Sequence, residues 1–267
     1  MDCLEKVRSQ LAPKGVLRAG ISLSNKFLVH QKDRSEDDYL CGVSPSMARS
    51  IARTLAVPLK LVAFKGPGEM LDGFEDGRCD IANFSNQPKR AKKVHFTRPY
   101  CQIEASFLVR EERKKIQGRN FFDREGVRIV SKARSAYTLW LEDNIKRASI
   151  VLAPSMDACY DLFVEKRCDL FAGLKPSLAS YGKHLPGSFI WADSFTHVGQ
   201  AVGCKHGMPE AHHFLDSLVE TYIEDGTIER MIAKYAPPGS LALPPSKCDS
   251  SSSSMASKIR GDDERSE

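Results

Sequence analysis

Gly77-Arg78-Cys79-Asp80-Ile81-Ala82, followed closely by Pro88-Lys89-Arg90-Ala91-Lys92-Lys93-Val94-His95-Phe96-Thr97-Arg98-Pro99-Tyr100, is the stretch from which the fold is read. Gly77 closes a helix predicted over Glu69–Glu75, and Cys79–Phe84 is an apolar run of strand length. Working upstream, Leu59–Phe64 reads as a second strand and Val16–Ile21 as a first. Between those two, Ser44-Pro45 opens a helix with serine as N-cap and proline at the first helical position. Met47, Ala48, Ile51, Ala52 and Leu55 give that helix one apolar face. Strand, helix, strand, helix, strand in this order predicts a largely parallel α/β sheet.

Downstream the pattern returns more loosely. Val127–Val130, Ile150–Leu152 and Cys168–Ala172 read as strands, with helices opening at Ser135 and spanning Met156–Lys166. One core rarely grows past about 250 residues, so two α/β units in 267 residues predict two lobes. A helix pair, Glu210–Glu224 and Thr227–Tyr235, closes the folded part. Beyond it Pro244-Pro245, the serines at 250–254 and the charged Lys258–Glu267 bury too little apolar surface to fold. Residues 240–267 are therefore expected to form a disordered tail.

Composition narrows the function. A net charge of +5 with interspersed signs, and no aromatic platform or reading motif beside the basic run Lys89–Lys93, speaks against a nucleic-acid partner. No run of eighteen apolar residues predicts a membrane span. The start, Met1-Asp2-Cys3-Leu4-Glu5-Lys6, does not read as a secretory signal. As written the chain reads as cytoplasmic, and as periplasmic if a signal has been removed. The eight cysteines form no CxxC and are expected to be buried reduced thiols. His206, His212 and His213 are not expected to share an ion, because adjacent helical residues face different sides. No phosphate-loop, dinucleotide, nucleophile-elbow or metalloprotease motif occurs, so no catalytic residue, metal or cofactor is predicted. Asn83-Phe84-Ser85 fits a glycosylation triplet, discounted at a strand end without a secretion signal.

The opening stretch resembles the signature of bacterial solute-binding proteins of family 3, the amino-acid-type periplasmic binding proteins. In that family a "G-x-x-D" precedes a strand and "P-x-R-A-x-x-V-x-F-[ST]-x-P-Y" follows it. Leu17-Arg18-Ala19-Gly20, Cys41-Gly42-Val43-Ser44, and Asp225-Gly226-Thr227-Ile228 with Lys234-Tyr235 resemble further family segments in the same order. The resemblance implies a two-lobed periplasmic-binding-protein type II fold with a ligand cleft between the lobes. Lobe 1 would hold residues 15–104 and 197–237, and lobe 2 residues 105–196, with crossovers near Gln102–Phe107 and Ser194–Gln200 acting as a hinge.

It also implies a site. The arginine that grips a ligand carboxylate falls on Arg90, whose planar fork suits two oxygens. Ser85 and Asn86 would stand beside it, and Asn25 would face the cleft from the first-strand turn. In lobe 2, Lys132-Ala133-Arg134-Ser135-Ala136 replaces the family's glycine-rich anion turn, offering Arg134 and Ser135. The carboxylate that pairs a ligand ammonium is replaced by Leu174, followed by Lys175. An ammonium buried there would be unpaired. The expectation is a monomeric, non-enzymatic binder of a small anionic solute, with an ABC-transporter permease as candidate partner. An enzyme on the same fold, similar to cyclohexadienyl dehydratase, and a ligand-sensing module with the tail as partner-binding element are the alternatives.

Overall fold

The computed structural model describes residues 2–33, 39–113 and 121–245. In chain order the elements are α1 (Cys3–Leu11), β1 (Leu17–Ser22), β2 (His30–Gln31), β3 (Leu40–Cys41), α2 (Val43–Leu55), β4 (Leu59–Phe64), α3 (Pro67–Glu75), β5 (Ile81–Ser85), α4 (Pro88–Ala91) and β6 (His95–Phe96). The long β7 (Cys101–Arg110) leads to β8 (Arg128–Lys132), α5 (Ala136–Asn144), β9 (Ser149–Ala153), α6 (Met156–Val164), β10 (Leu170–Leu174), α7 (Lys175–Gly182) and β11 (Ser188–Ile190). The chain then returns through β12 (Thr196–Cys204) to α8 (Pro209–Glu224) and α9 (Thr227–Tyr235).

The strands join in the order β4-β1-β5-β12-β7-β10-β8-β9. Each end of this array is parallel, β1 with β4 and β5, and β8 with β9 and β10. The middle is antiparallel: β12 pairs β5 and β7, and β7 pairs β10. The sheet is thus mixed where a largely parallel one was expected, because two strands carry the chain across the middle in opposite directions. Each end buries both faces against helices, giving two lobes. In lobe 1, Leu17, Ile21, Met47, Ile51, Leu215 and Ile228 fill one side, and Phe64, Met70, Phe74 and Phe84 the other. In lobe 2, Phe107, Ile129 and Leu141 fill one side and Cys159, Phe163, Phe171 and Leu178 the other.

One device fastens the amino ends of the strands in both lobes. Asp80 accepts from the Arg18 backbone N–H at 2.9 Å and from its guanidinium at 2.5 and 2.9 Å. Asp169 takes the Arg128 N–H at 2.8 Å and its guanidinium at 3.1 and 3.2 Å. Each acid follows an Arg-Cys pair, Arg78-Cys79 and Arg167-Cys168, so the clasp is written twice in the sequence.

Two local expectations are corrected. Helix α2 is capped by Gly42 rather than Ser44. Gly42 has φ +122°, and a Cβ there would stand 2.3 Å from the Leu28 carbonyl oxygen, so only glycine fits. Ser44 lies inside the first turn, and its hydroxyl meets the Tyr100 hydroxyl at 3.2 Å. The start of the expected tail is packed: Ser240 and Leu241 are buried, and Ala242 exchanges backbone hydrogen bonds of 2.8 and 3.0 Å with Gln102. Residues 246–267 of that tail lie outside the described residues. Among the described residues seven cysteines are free thiols, five of them buried, and no helix is long and apolar enough to cross a membrane.

Candidate ligand cleft between the lobes

The carboxyl ends of the strands converge on one cavity of about 100 Å³. Ser22 ends β1, Ser85 ends β5, Lys132 ends β8 and Leu174 ends β10, and all four line it. This is where ligands of α/β sheets are bound. Its volume exceeds the roughly 10–15 Å³ a single water needs and falls below the roughly 300–1,000 Å³ of drug-sized sites. The lining mixes apolar surface from Phe27, Leu28, Phe84 and Val198 with hydroxyl and amide groups. No Asp or Glu is among the residues that line it.

Arg90 stands directly behind this wall. Pro88 starts the single turn of α4, which turns Arg90 back under β5 until only 3% of it is exposed. Its Nη1 donates to the Ser85 hydroxyl oxygen, and its Nη2 donates across the cleft to the Arg134 carbonyl oxygen at 3.0 Å. A hydroxyl has one proton. Because Ser85 Oγ accepts from the guanidinium, its own proton is left for another acceptor. No carboxylate pairs with Arg90 among the described residues. Burial, with Arg134 adding to it, pushes the Arg90 value down to about 10.

Asn83 and Lys132 are among the polar lining residues, with Ser22, Ser24, Ser44, Ser177 and Gln200, that the sequence did not assign to the site. Asn83 lies mid-strand in β5, 6% exposed, lining the cavity with neither its amide nitrogen nor its amide oxygen bonded. A polar residue in the middle of an otherwise apolar strand is the signal that could have found it. Lys132 is half-buried in the opposing wall, and burial lowers its pKa.

The predicted residues separate into two groups. Asn25, Ser85 and Ser135 line the cavity. Asn25 Oδ1 accepts from the Phe27 N–H at 3.3 Å, holding the turn. Ser135 caps α5, accepting from the Thr138 N–H at 3.2 Å. The Thr138 hydroxyl donates to the Lys132 carbonyl at 2.6 Å, so it accepts from Ser135 and Ser131, and the Ser135 proton is committed within the protein. Arg90 backs the wall as described. Asn86, Arg134 and Lys175 are turned elsewhere. Asn86 packs on β12, where a Cβ at Gly199 would meet its Oδ1 at 2.7 Å. Arg134, with φ +60°, swings out of the turn to Asp72 at 2.7 Å and the Gly68 carbonyl at 3.0 Å. Lys175 pairs with Glu104 and donates to the Ala192 carbonyl at 2.7 Å, on the crossover strands rather than in the cavity. Glu104 is accordingly held by Lys175, away from Arg90, and its carboxyl is pulled below its usual value.

The lobes touch through Arg134 to Asp72, through Arg90 to the Arg134 carbonyl, and through Lys89 to Glu142 and Asp143 at 3.1 and 2.9 Å. The cleft is closed. Away from it, the His95 ring stacks on His212 with centroids 3.5 Å apart and on His206 with centroids 5.4 Å apart. The ring nitrogens of His206 and His212 meet the Ala91 and Phe96 carbonyls at 3.0 and 2.8 Å. Among the described residues no group of three or more His, Cys, Asp or Glu side chains is placed to hold a metal ion.

No curated protein matches the chain. Among solved structures it is similar to an ancestral amino-acid-binding protein, a precursor of cyclohexadienyl dehydratase, with a TM-score of 0.68 and 20% identity over 89% of this chain and 100% of that one. It is also similar to the binding component of an ABC transporter from Wolinella succinogenes complexed with lysine, TM-score 0.68, 18% identity, covering 85% and 97%. The GluR0 ligand-binding core with L-glutamate gives a TM-score of 0.66 at 14% identity over 83% and 98%. At these identities the likeness establishes the two-lobed fold. The family model of the bacterial extracellular solute-binding proteins, family 3, matches residues 30–238. Strand order, a cavity between two lobes and this match agree, and the chain belongs to the bacterial extracellular solute-binding proteins of family 3.

Proposed function

We propose that the protein binds, without chemical conversion, a small carboxylate-bearing solute in the cleft and closes its lobes around it. One observation carries this reading: a guanidinium buried to 3% exposure, with no acid partner, stands behind a cavity lined by no carboxylate. A charge in that position is costly unless an opposite charge arrives. The Ser85 hydroxyl would relay it, donating its free proton to a ligand oxygen while accepting from Arg90. Leu174 offers no counter-charge to an ammonium, which sets this cleft apart from a site for ordinary amino acids. The same lack of a lining carboxylate favours binding over a dehydratase-type reaction that needs an acid or base there.

In this reading the hinge lies on β7 and β12, with lobe 1 formed by residues 15–104 and 197–237 and lobe 2 by 105–196. A transport role would set the protein on the extracellular or periplasmic side with a permease as partner.

The test is a thermal-shift screen of amino acids, hydroxy acids, oxo acids and dicarboxylates. A ligand at about 100 times its Kd adds about 2.7 kcal/mol to the folded state. A carboxylate without an amine should raise Tm, and Arg90→Ala should abolish the rise while the protein stays folded. A rise with amino acids alone would refute the reading.

A further inference from the structure

We infer that His95, His206 and His212 form a pH-sensitive latch: their neutral rings hold β6 and the turn that carries Arg90 against α8, and acid releases them. The inference stands on this stack of rings and does not depend on what the cleft binds.

The three rings come from separate parts of the chain. His95 lies on β6, His206 in the turn after β12, and His212 in the first part of α8. The His95 plane lies within 5° of the His212 plane and 12° of the His206 plane. Imidazoles stacked this closely tolerate one charge far better than two, because like charges repel and a half-buried site has little water to screen them. His95 is in register with Cys204 of β12, whose thiol donates to the His95 carbonyl at 3.7 Å, so its backbone cannot shift without disturbing the sheet. The outer rings tie down the chain on both sides of His95. His206 Nε2 meets the Ala91 carbonyl at 3.0 Å, and His212 Nε2 meets the Phe96 carbonyl at 2.8 Å. A carbonyl only accepts, so both Nε2 atoms are donors.

The surrounding charges are engaged with one another. Asp216, one turn along α8, attracts a charge on His212, but it accepts from the Arg98 N–H at 2.6 Å and guanidinium at 2.8 Å. Glu220 pairs with the same Arg98, and Glu210 accepts from the Gln10 amide at 2.8 Å. Lys93 pairs with Glu75 at 2.8 Å, Lys92 is exposed, and Lys205 reaches toward Gly77. His213 faces the groove between α1 and α8.

The latch reaches the cleft through the backbone. Ala91 ends α4, the turn on which Arg90 sits, and the Val94 N–H donates to the Arg90 carbonyl at 3.0 Å. The segment that the rings clamp is therefore the one that places the guanidinium behind Ser85. Burial, then His212 and His206, hold the His95 ring below its usual value. Above about pH 6.5 the closed and opened forms are both neutral there; below it the opened form takes up a proton that the stack refuses. Each further pH unit, down to the folded-state value, favours opening about tenfold.

The experiment is hydrogen exchange on the full chain at pH 7.5 and 5.0, with rates corrected for the intrinsic effect of pH. Protection of the amides of residues 91–97 should fall about tenfold at pH 5.0 relative to amides of β8 and α6 in lobe 2. His95→Phe, which keeps a flat ring without the charge, should remove that fall. His212→Gln, which keeps a donor for the Phe96 carbonyl and removes the nearer charge, should remove most of it and serves if His95→Phe does not fold. In NMR the His95 ring should titrate below about 6.5. Equal protection at both pH values, an equal fall in both lobes, a fall that persists in the variants, or a His95 ring that titrates at or above its ordinary value overturns the inference.

Discussion

The two ends of the strands treat positive charge in opposite ways. At the amino ends, Arg18 and Arg128 are each tied to an acid that is itself almost fully buried, Asp80 and Asp169. At the carboxyl ends, Arg90 and Lys132 have no acid partner. The protein can therefore neutralise a cation at a strand end, and does so twice with the same Arg-Cys-Asp spacing. Leaving the cleft cations without acids is a local departure from that habit. The rim of the cleft is a third case, where the exposed Arg134 and Lys89 find acids on the opposite lobe. Paired charge at the amino ends builds the lobes, paired charge at the rim joins them, and the cleft alone keeps its charge without an acid partner among the described residues.

The largest effect should come from breaking the amino-end clasp. Asp80→Ala removes the acceptor of three hydrogen bonds and is expected to cost about 3–5 kcal/mol of stability by chemical denaturation. The cleft should behave in reverse. Arg90→Met is expected to keep or raise the stability of the ligand-free protein while weakening the carboxylate ligand about 100-fold or more, as read by calorimetry. A large loss of ligand-free stability would make Arg90 a framework residue like Arg18. Next, Leu174→Asp would place an acid in the cleft, as at the amino ends. Binding of a simple carboxylate should fall about tenfold, and the matching amino acid should gain, from the added repulsion and the new ammonium partner.

Rim changes should be smaller. Arg134 is 58% exposed and Asp72 49%, so Asp72→Asn should weaken binding by at most about fivefold, from roughly 0.2–1 kcal/mol of closed-state contact. That difference should vanish in 0.5 M salt. The smallest effect is in pH. The folded-state value of Lys132 lies below its usual one, so between the two the unfolded chain holds more protons, and stability contributed by this site rises with pH. The Tm advantage of Lys132→Met over the natural protein should therefore shrink as pH is raised toward 10.5.

Much of the fold was legible because each lobe repeats short apolar strands and one-faced helices. Leu59–Phe64 and Thr227–Tyr235 were read to the residue. The extent and antiparallel pairing of β7 and β12 were not, since Gln102, Glu104, His197 and Gly199 interrupt the apolar pattern where the strands leave one lobe for the other. In the cleft, the reading of Lys132-Ala133-Arg134 chose the wrong cation for the cavity wall. Arg134 adopts φ +60°, and that left-handed turn sends its side chain outward while Lys132 remains on the strand end facing in. A single dihedral decides this, and no periodicity encodes it. Lys175 was likewise drawn off by Glu104, a partner distant in sequence but adjacent on β7.

The return of the chain through β12 has a consequence for biosynthesis. Lobe 2 is assembled from one continuous piece, whereas β5 of lobe 1 waits for β12, with partners such as Ser85 and Gln200 on the order of a hundred residues apart. On the ribosome lobe 2 can be complete while lobe 1 still presents an open strand edge, with Asn83 and Ser85 lying along it. Contacts that far apart are slow to form, and exposed edges invite pairing with other chains. Late formation of the β5–β12 ladder should therefore limit the yield of the native protein, and the β5 wall of the cleft is among the last parts of the molecule to exist.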